Sequence, residues 1–312
     1  MADIICGVDI SADILDARIG RDGIWQQFAR TTEGIASLAA FCKAHQVTLV
    51  AMEATGGYER LPFGQLWGAD LAVAIVNPRS IRRFAEAMGV LEKTDRIDCA
   101  MIAWYAQTKR VKPTPLGSQT QRRLTALVLR LRQLTDLRTG QTNQRRLVTE
   151  PEVQETFSTV ITAVTQQIRS LEAKIAALIN ADPMWAAMDQ AFRTIKGVSD
   201  RTVARLMADM PEIGTLSNKA VAKLCGLAPI ARDSGKTVRK RPVRGGRQSI
   251  RSILYLVAQV VRRHDPDFAA KYERLRKEGK PVKVIRIALA RHLVVRLNAK
   301  ARDTRKALAK AA

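Results

Sequence analysis

The chain has 312 residues, long enough for two or three domains with a sizeable core, and 46% of them are hydrophobic. Lysine and arginine total 52 against 29 aspartates and glutamates, a formal charge of +23 that suggests a nucleic-acid partner, with an anionic membrane surface the weaker option. Four cysteines far apart in sequence, no apolar run of 18 residues and no basic-then-apolar leader argue against structural zinc, a membrane span and a secretory signal, and lead us to expect a soluble cytoplasmic protein.

The charge is unevenly placed. Residues 1–110 carry 12 basic and 13 acidic side chains, whereas residues 111–312 carry 40 basic and 16 acidic. A neutral N-terminal part is thus joined to a strongly basic remainder.

Ile4 to Asp9, Ile14 to Gly20 and Ile24 to Ala29 read as three adjacent strands in a meander, the second with clear alternation. Thr32 to His45 has helical spacing at Ile35, Leu38, Ala39, Phe41 and Cys42. Val47 to Met52 is a buried strand ending at Glu53, Gly56-Gly57 breaks the chain, and Tyr58 to Trp67 is a second helix. Leu71 to Val76 is a fifth strand stopped by Asn77-Pro78, and Ile81 to Met88 is a helix closed near Gly89. Lys93-Thr94-Asp95-Arg96-Ile97-Asp98 opens another helix, with Thr94 placed to cap it and two acids on one face of its first turns. Three strands followed by alternating helices and strands resemble the ribonuclease H-like fold.

Asp9 ends the first strand, Glu53 follows the fourth, and Asp95 with Asp98 begin the helix after the fifth. Strand ends on one side of a sheet converge with a helix packed across it, so all four carboxylates can meet in one cleft. A capped surface helix is the ordinary reading of the last pair alone. Four acids with no basic neighbour repel one another unless divalent cations hold them, and an all-oxygen set favours Mg²⁺ or Mn²⁺. Two such ions ~4 Å apart would clamp the attacking and leaving oxygens of a phosphodiester.

The motifs Gly7-Val8-Asp9-Ile10-Ser11, Met52-Glu53-Ala54-Thr55-Gly56-Gly57-Tyr58, Val76-Asn77-Pro78 and Lys93-Thr94-Asp95-Arg96-Ile97-Asp98 resemble those of DEDD transposases of the IS-one-ten insertion-sequence family. By that resemblance the N-terminal domain is RuvC-like, and Asp9, Glu53, Asp95 and Asp98 match the four metal-binding acids. Cys99 stands where alanine is usual, a small change.

Pro113, Pro115 and Gly117 mark a linker over residues 111–118, which bounds the first domain at 1–110. Leu124, Leu127, Leu131 and Leu134, then Val153, Phe157, Val160, Val164, Ile168, Leu171, Ile175 and Leu178, predict two long helices folded back as a coiled-coil hairpin over 119–182. Such a hairpin is either a domain with its own core or an intermolecular device, and the resemblance implies subunit assembly and RNA binding. A mainly α domain fills 183–312. Its Thr194 to Val203 stretch reads equally as a helix-hairpin-helix that presents N–H groups to phosphate or as a plain helix joint.

From Lys236 to Arg251 there are seven basic residues and no acid: Lys236, Arg239, Lys240, Arg241, Arg244, Arg247 and Arg251. With Lys93 these are the candidate nucleic-acid contacts. Ser234, in Asp233-Ser234-Gly235 ahead of Gly245-Gly246-Arg247, is an ordinary turn residue by composition. The family resemblance selects it, over Ser249 and Ser252, as a nucleophile that arginines and a metal would activate. Helices are expected over Leu216–Leu227, Ile250–Val261 and Val282–Leu297, and residues 300–312 as a fraying basic helix with little to bury. His45, His264 and His292 are assigned no chemistry.

The resulting expectation is a DNA recombinase that joins donor and target DNA through a phosphoserine intermediate. The same resemblance implies guidance by a structured RNA, and the expected assembly is a homo-oligomer, a dimer or tetramer, with no membrane partner. A Holliday-junction-type nuclease using water would need no Ser234, and a non-catalytic nucleic-acid-binding protein would need none of the acids. A sugar kinase also opens with a strand ending in Asp, but the phosphate-binding glycine loops are not evident.

Overall fold

A computed structural model describes residues 3–92, 94–231 and 241–311. The chain divides into two compact units, Met1–Leu116 and Gly117–Ala312.

In the first unit β1 (Ile5–Ile10), β2 (Ile14–Ile19) and β3 (Trp25–Ala29) form an antiparallel meander, and β4 (Leu49–Glu53) and β5 (Val73–Val76) extend it in parallel, giving the order β3-β2-β1-β4-β5. This mixed sheet agrees with the strand order expected from the sequence. Helices cover both faces, which is why central β1 reads as almost continuously apolar. Cys6, Val8, Ile10, Val50 and Met52 pack against α1 (Thr32–Ala44) and α2 (Arg60–Gly68) through Ile35, Leu38 and Leu66. The alternate residues Ile5, Leu49, Ala51, Ala74 and Val76 face α3 (Pro78–Ala87) and α4 (Asp95–Lys109).

Helix α4 lies directly on β1. A Cβ at Gly7 would stand 2.0 Å from the Cys99 carbonyl oxygen and 2.6 Å from the Ala103 nitrogen, so only glycine permits this crossing. The expected linker is tied to the sheet at Thr114, whose N–H donates to the Val73 carbonyl at 2.8 Å and whose hydroxyl accepts from Ile75 N–H at 2.9 Å.

The second unit is helical among its described residues. Helices α5 (Gln119–Arg145) and α6 (Pro151–Ala181) pack along each other, burying Leu124, Leu131 and Leu134 with Ile168, Ile175 and Ile179. They share one core with α7 (Pro183–Arg193), α8 (Asp200–Asp209), α9 (Asn218–Leu224), α10 (Gln248–His264), α11 (Pro266–Lys277) and α12 (Val282–Ala311). The turn between α7 and α8 carries Gly197, whose α-carbon sits against Val260 and Val261 of α10.

Two features differ from the sequence reading. Helix α11, not expected, is opened by Asp265, whose carboxylate accepts from the Asp267 and Phe268 N–H groups ahead of buried Phe268. The basic tail does not fray as expected but completes α12. Arg302 donates to the Leu216 carbonyl at 3.0 Å, and Arg305 to those of Ile213 at 3.0 Å and Pro211 at 3.2 Å. Among the described residues no backbone N–H donates to these carbonyls of the irregular turn before α9, and the tail supplies donors instead.

Candidate active site

Register brings the first acids together. β1 and β4 pair with Val8 opposite Met52, so Asp9 and Glu53 follow at the same height and face the α4 side, as Gly7 and Ala51 do. Across the first hairpin Asp9 is the register partner of Asp16. From the other side, Thr94 caps α4 by accepting from the Ile97 N–H at 3.3 Å, as expected, which sets Asp95 and Asp98 in its first turns.

Asp9, Glu53 and Asp98 line one cleft of about 450 Å³. Asp95 is not among its lining residues, but it stands near enough for its charge to act on Asp9. Burial raises the Asp9 carboxyl above the usual range against the opposing Ile10 N–H bond of 3.0 Å, and the Asp98, Asp95 and Asp16 charges add to the rise. Among the described residues no three His, Cys, Asp or Glu side chains are grouped as a set that could hold a metal ion. The hard oxygen donors and their mutual repulsion fit a divalent cation, and side-chain rotation would be needed to gather them around it.

The cleft is not lined by acids alone. Arg79 and Arg82 of α3 stand on its wall, which corrects the expectation of acids with no basic neighbour. The crossover from β5 delivers them: Asn77 accepts from the Arg79 N–H at 2.9 Å and starts the helix at the cleft edge. Arg82 also pairs with Glu86 at 3.2 Å. Asp16 was missed as well. It is 5% exposed, accepts from Gln27 at 3.3 Å, and is raised first by burial and then by Asp95. Counting back through the two-residue turn Ala12-Asp13, with Ser11 facing Ile14, would have found it opposite Asp9. Arg96, between the two α4 acids in sequence, is drawn aside over the Trp25 ring at 4.1 Å. Cys99, beneath the cleft, is pushed up to about 12 by burial and is inert as a thiol.

Ser234, Lys236, Arg239, Lys240 and Lys93 lie outside the described residues. The feet of the serine segment are pinned together, since Ile230 N–H donates to the Pro242 carbonyl at 3.1 Å and Pro229 bridges Val243. Gly246 follows with φ +65°, its α-carbon pressed on the Gly226 turn, where a side chain would lie 2.3 Å from the Gly226 nitrogen. Arg241 and Arg244 are exposed, and Arg251 donates to the Gly245 carbonyl at 2.7 Å. Arg247 is held within the protein. It forms a fork with Glu212 at 2.7 and 2.6 Å and donates to the Asp209 carbonyl at 2.8 Å, so a phosphate would have to compete with Glu212. Ser249 donates to Asp209 at 3.1 Å.

The Arg247 fork predicts acid sensitivity. Burial pushes Glu212 up, but the Arg247 bonds outweigh it and hold the carboxyl below its usual range. A depressed folded pKa stabilises above the unfolded value, near 4.3, and that stabilisation is lost as pH falls through the folded value. Glu212→Gln is expected to lower stability at pH 7 by roughly 1 kcal/mol, allowing for the pair's partial exposure, with a smaller deficit at pH 3. Urea titrations at the two pH values check this, and an equal deficit at both would refute it.

Residues 6–149 match a family model for DEDD transposases of the IS110 group, and residues 189–273 match the one described as Transposase IS116/IS110/IS902 family. The chain belongs to the IS110 transposase family. It is therefore a DNA transposase and recombinase. The pilin gene-inverting protein of Moraxella lacunata is 28% identical over 313 residues, covering 94% of each chain. An uncharacterized 43.6 kDa protein of insertion element IS110 from Streptomyces coelicolor is 28% identical over 220 residues, 67% of this transposase and 53% of that protein. A Thermus thermophilus RuvC structure covers 36% of the transposase and 99% of its own chain at 14% identity, with a TM-score of 0.25, a likeness too slight to build on. Among the described residues no helix is long and apolar enough to cross a membrane.

Proposed function

We propose that this transposase exchanges DNA strands with Asp9, Glu53, Asp95 and Asp98 as the holders of Mg²⁺ or Mn²⁺ and Ser234 as the nucleophile. The observation that carries the reading is the convergence of Asp9, Glu53 and Asp98 on one cleft, where burial and like charge press on Asp9. The bound cation would supply charge withdrawal from the phosphodiester oxygens. The Ser234 oxygen would bond to phosphorus as one deoxyribose oxygen leaves, the serine proton passing in net to that leaving oxygen, giving a phosphoserine and a free DNA hydroxyl. The hydroxyl of the other strand then displaces serine, so the number of phosphodiester bonds is unchanged. Arg79 and Arg82 on the cleft wall suit the orientation of a phosphate beside the acids.

Donor and target DNA would be chosen by a structured guide RNA, leaving the protein to grip backbone. The +24 charge of residues 111–312 and the 5% aromatic content support that division. The α5 and α6 pair with the turn between them, where Leu137, Leu147, Val153 and Val160 are exposed, suits a coiled-coil contact between copies in a dimer or tetramer.

Ser234→Ala is expected to remove covalent protein–DNA adducts and to slow strand transfer on the order of 10³-fold, with DNA affinity retained. Adducts that persist in this variant, trapped by denaturation and seen as shifted bands, would overturn the serine assignment. The same preparation tests the other parts: no co-purifying RNA that maps beside the reading frame would end RNA guidance, and a monomeric mass with RNA and DNA present would end the oligomer.

A further inference from the structure

Helix α12 carries more apolar surface than the core uses. Ile285, Leu289, Leu293, Val294 and Leu297 are buried in the core, yet Val284, Ile287, Ala288 and Val295 also recur at helical spacing and floor a separate cavity of about 680 Å³. The opposite wall is Leu227, Pro229 and Val243, next to the pinned feet of the serine segment. The rest of the lining is mostly basic: Arg241, Lys271, Lys283, Arg291 and His292, and among the described residues no carboxylate lines it. Lys271 Nζ lies 2.9 Å from His292 Nδ1. Lysine donates, so Nδ1 accepts and the ring proton sits on Nε2. Burial first, then neighbouring cations, lowers the pKa of both groups. Positive charge is therefore crowded around an apolar floor.

We propose that this cavity receives one unpaired nucleotide of the DNA being exchanged, its base on the α12 floor and its phosphate against Lys283 and Arg291. The inference rests on the strand-exchange reading above. A purely apolar ligand would bring no counter-charge to Lys283 and Arg291, and a lone phosphate would leave the floor wet; a nucleotide satisfies both. Strand exchange unpairs bases at the break, and a base removed from the stack needs apolar cover. No aromatic side chain lines the walls among the described residues, so the base is held by aliphatic contact and not by stacking.

The test compares two duplexes of equal charge, one with a single extrahelical nucleotide and one with an abasic residue at that position, binding to the full chain. The base-bearing duplex is expected to bind roughly tenfold tighter. Ala288→Trp, which fills the cavity, is expected to abolish that preference and leave affinity for fully paired duplex unchanged. If Ala288→Trp lowers the thermal midpoint, Val284→Asp at a 53% exposed position carries the same test. Equal binding of the two duplexes by the unaltered chain, the outcome if a protein segment fills the cavity, overturns the inference while leaving strand exchange intact. A base preference that survives in a folded variant also overturns it. Failure to bind any duplex overturns both readings.

Discussion

Gly7→Ala is expected to destabilise the first unit by about 2–4 kcal/mol and to abolish recombination. The added methyl would fall 2.0 Å from the Cys99 carbonyl oxygen and 2.6 Å from the Ala103 nitrogen. Both are backbone atoms of α4, so no side-chain rotation relieves the contact, and the helix must lift from β1. That displacement acts on function directly, because α4 carries Asp95 and Asp98 while β1 carries Asp9. Gly64→Ala in α2 is the control. Nothing lies within 4 Å of the place its methyl would take, and alanine in a helix interior is expected to add about 0.5–1 kcal/mol. Urea unfolding followed by circular dichroism measures both. Unchanged stability in Gly7→Ala would mean that α4 does not cross β1 as closely as described.

Asp9→Asn and Asp98→Asn are each expected to lower activity, and Asp9→Asn is expected to raise stability at the same time. Strand cleavage should fall on the order of 10³-fold for each, because a neutral amide neither attracts the cation nor balances its charge. Stability at pH 7 should rise in Asp9→Asn. The folded pKa of Asp9 is raised, chiefly by burial, so its ionised form is disfavoured by the fold. That penalty is full above the folded pKa and disappears as pH falls below the unfolded value of about 3.9. The amide removes it at neutral pH. Added Mg²⁺ should raise the thermal midpoint of the unaltered chain more than that of Asp9→Asn. A midpoint that falls in Asp9→Asn, or a Mg²⁺ response equal in both, would show that Asp9 is a structural acid.

The four motif acids were legible because each sits at a boundary that local chemistry marks. Asp9 and Glu53 end apolar runs, and Asp95 and Asp98 follow a threonine cap. The cleft shared by Asp9 and Glu53 followed from strand order, since parallel neighbours bring equivalent ends together, and of the two α4 acids it is Asp98 that lines it. Asp16, Arg79 and Arg82 were not legible in that way. Asp16 reaches the site through hairpin register and the arginines through a crossover, and neither has a motif of its own. Arg247 read as one more cation in a basic run, yet Glu212, 35 residues away, holds its guanidinium.

The sequence by itself determined the order of elements in the first unit, the acidic strand ends and the cap of α4, because periodicity, turn residues and capping are settled among neighbours in the chain, and its motifs carried the resemblance to the family. Tertiary structure alone decided which polar groups face one another: Asp16 with Asp9, arginines on the acid cleft, Glu212 with Arg247, and Arg302 and Arg305 with the carbonyls of a distant turn. The physical reason is that a buried or half-buried charge must find its partner wherever the packed chain offers one, and that partner is chosen by register and crossover instead of by spacing in sequence.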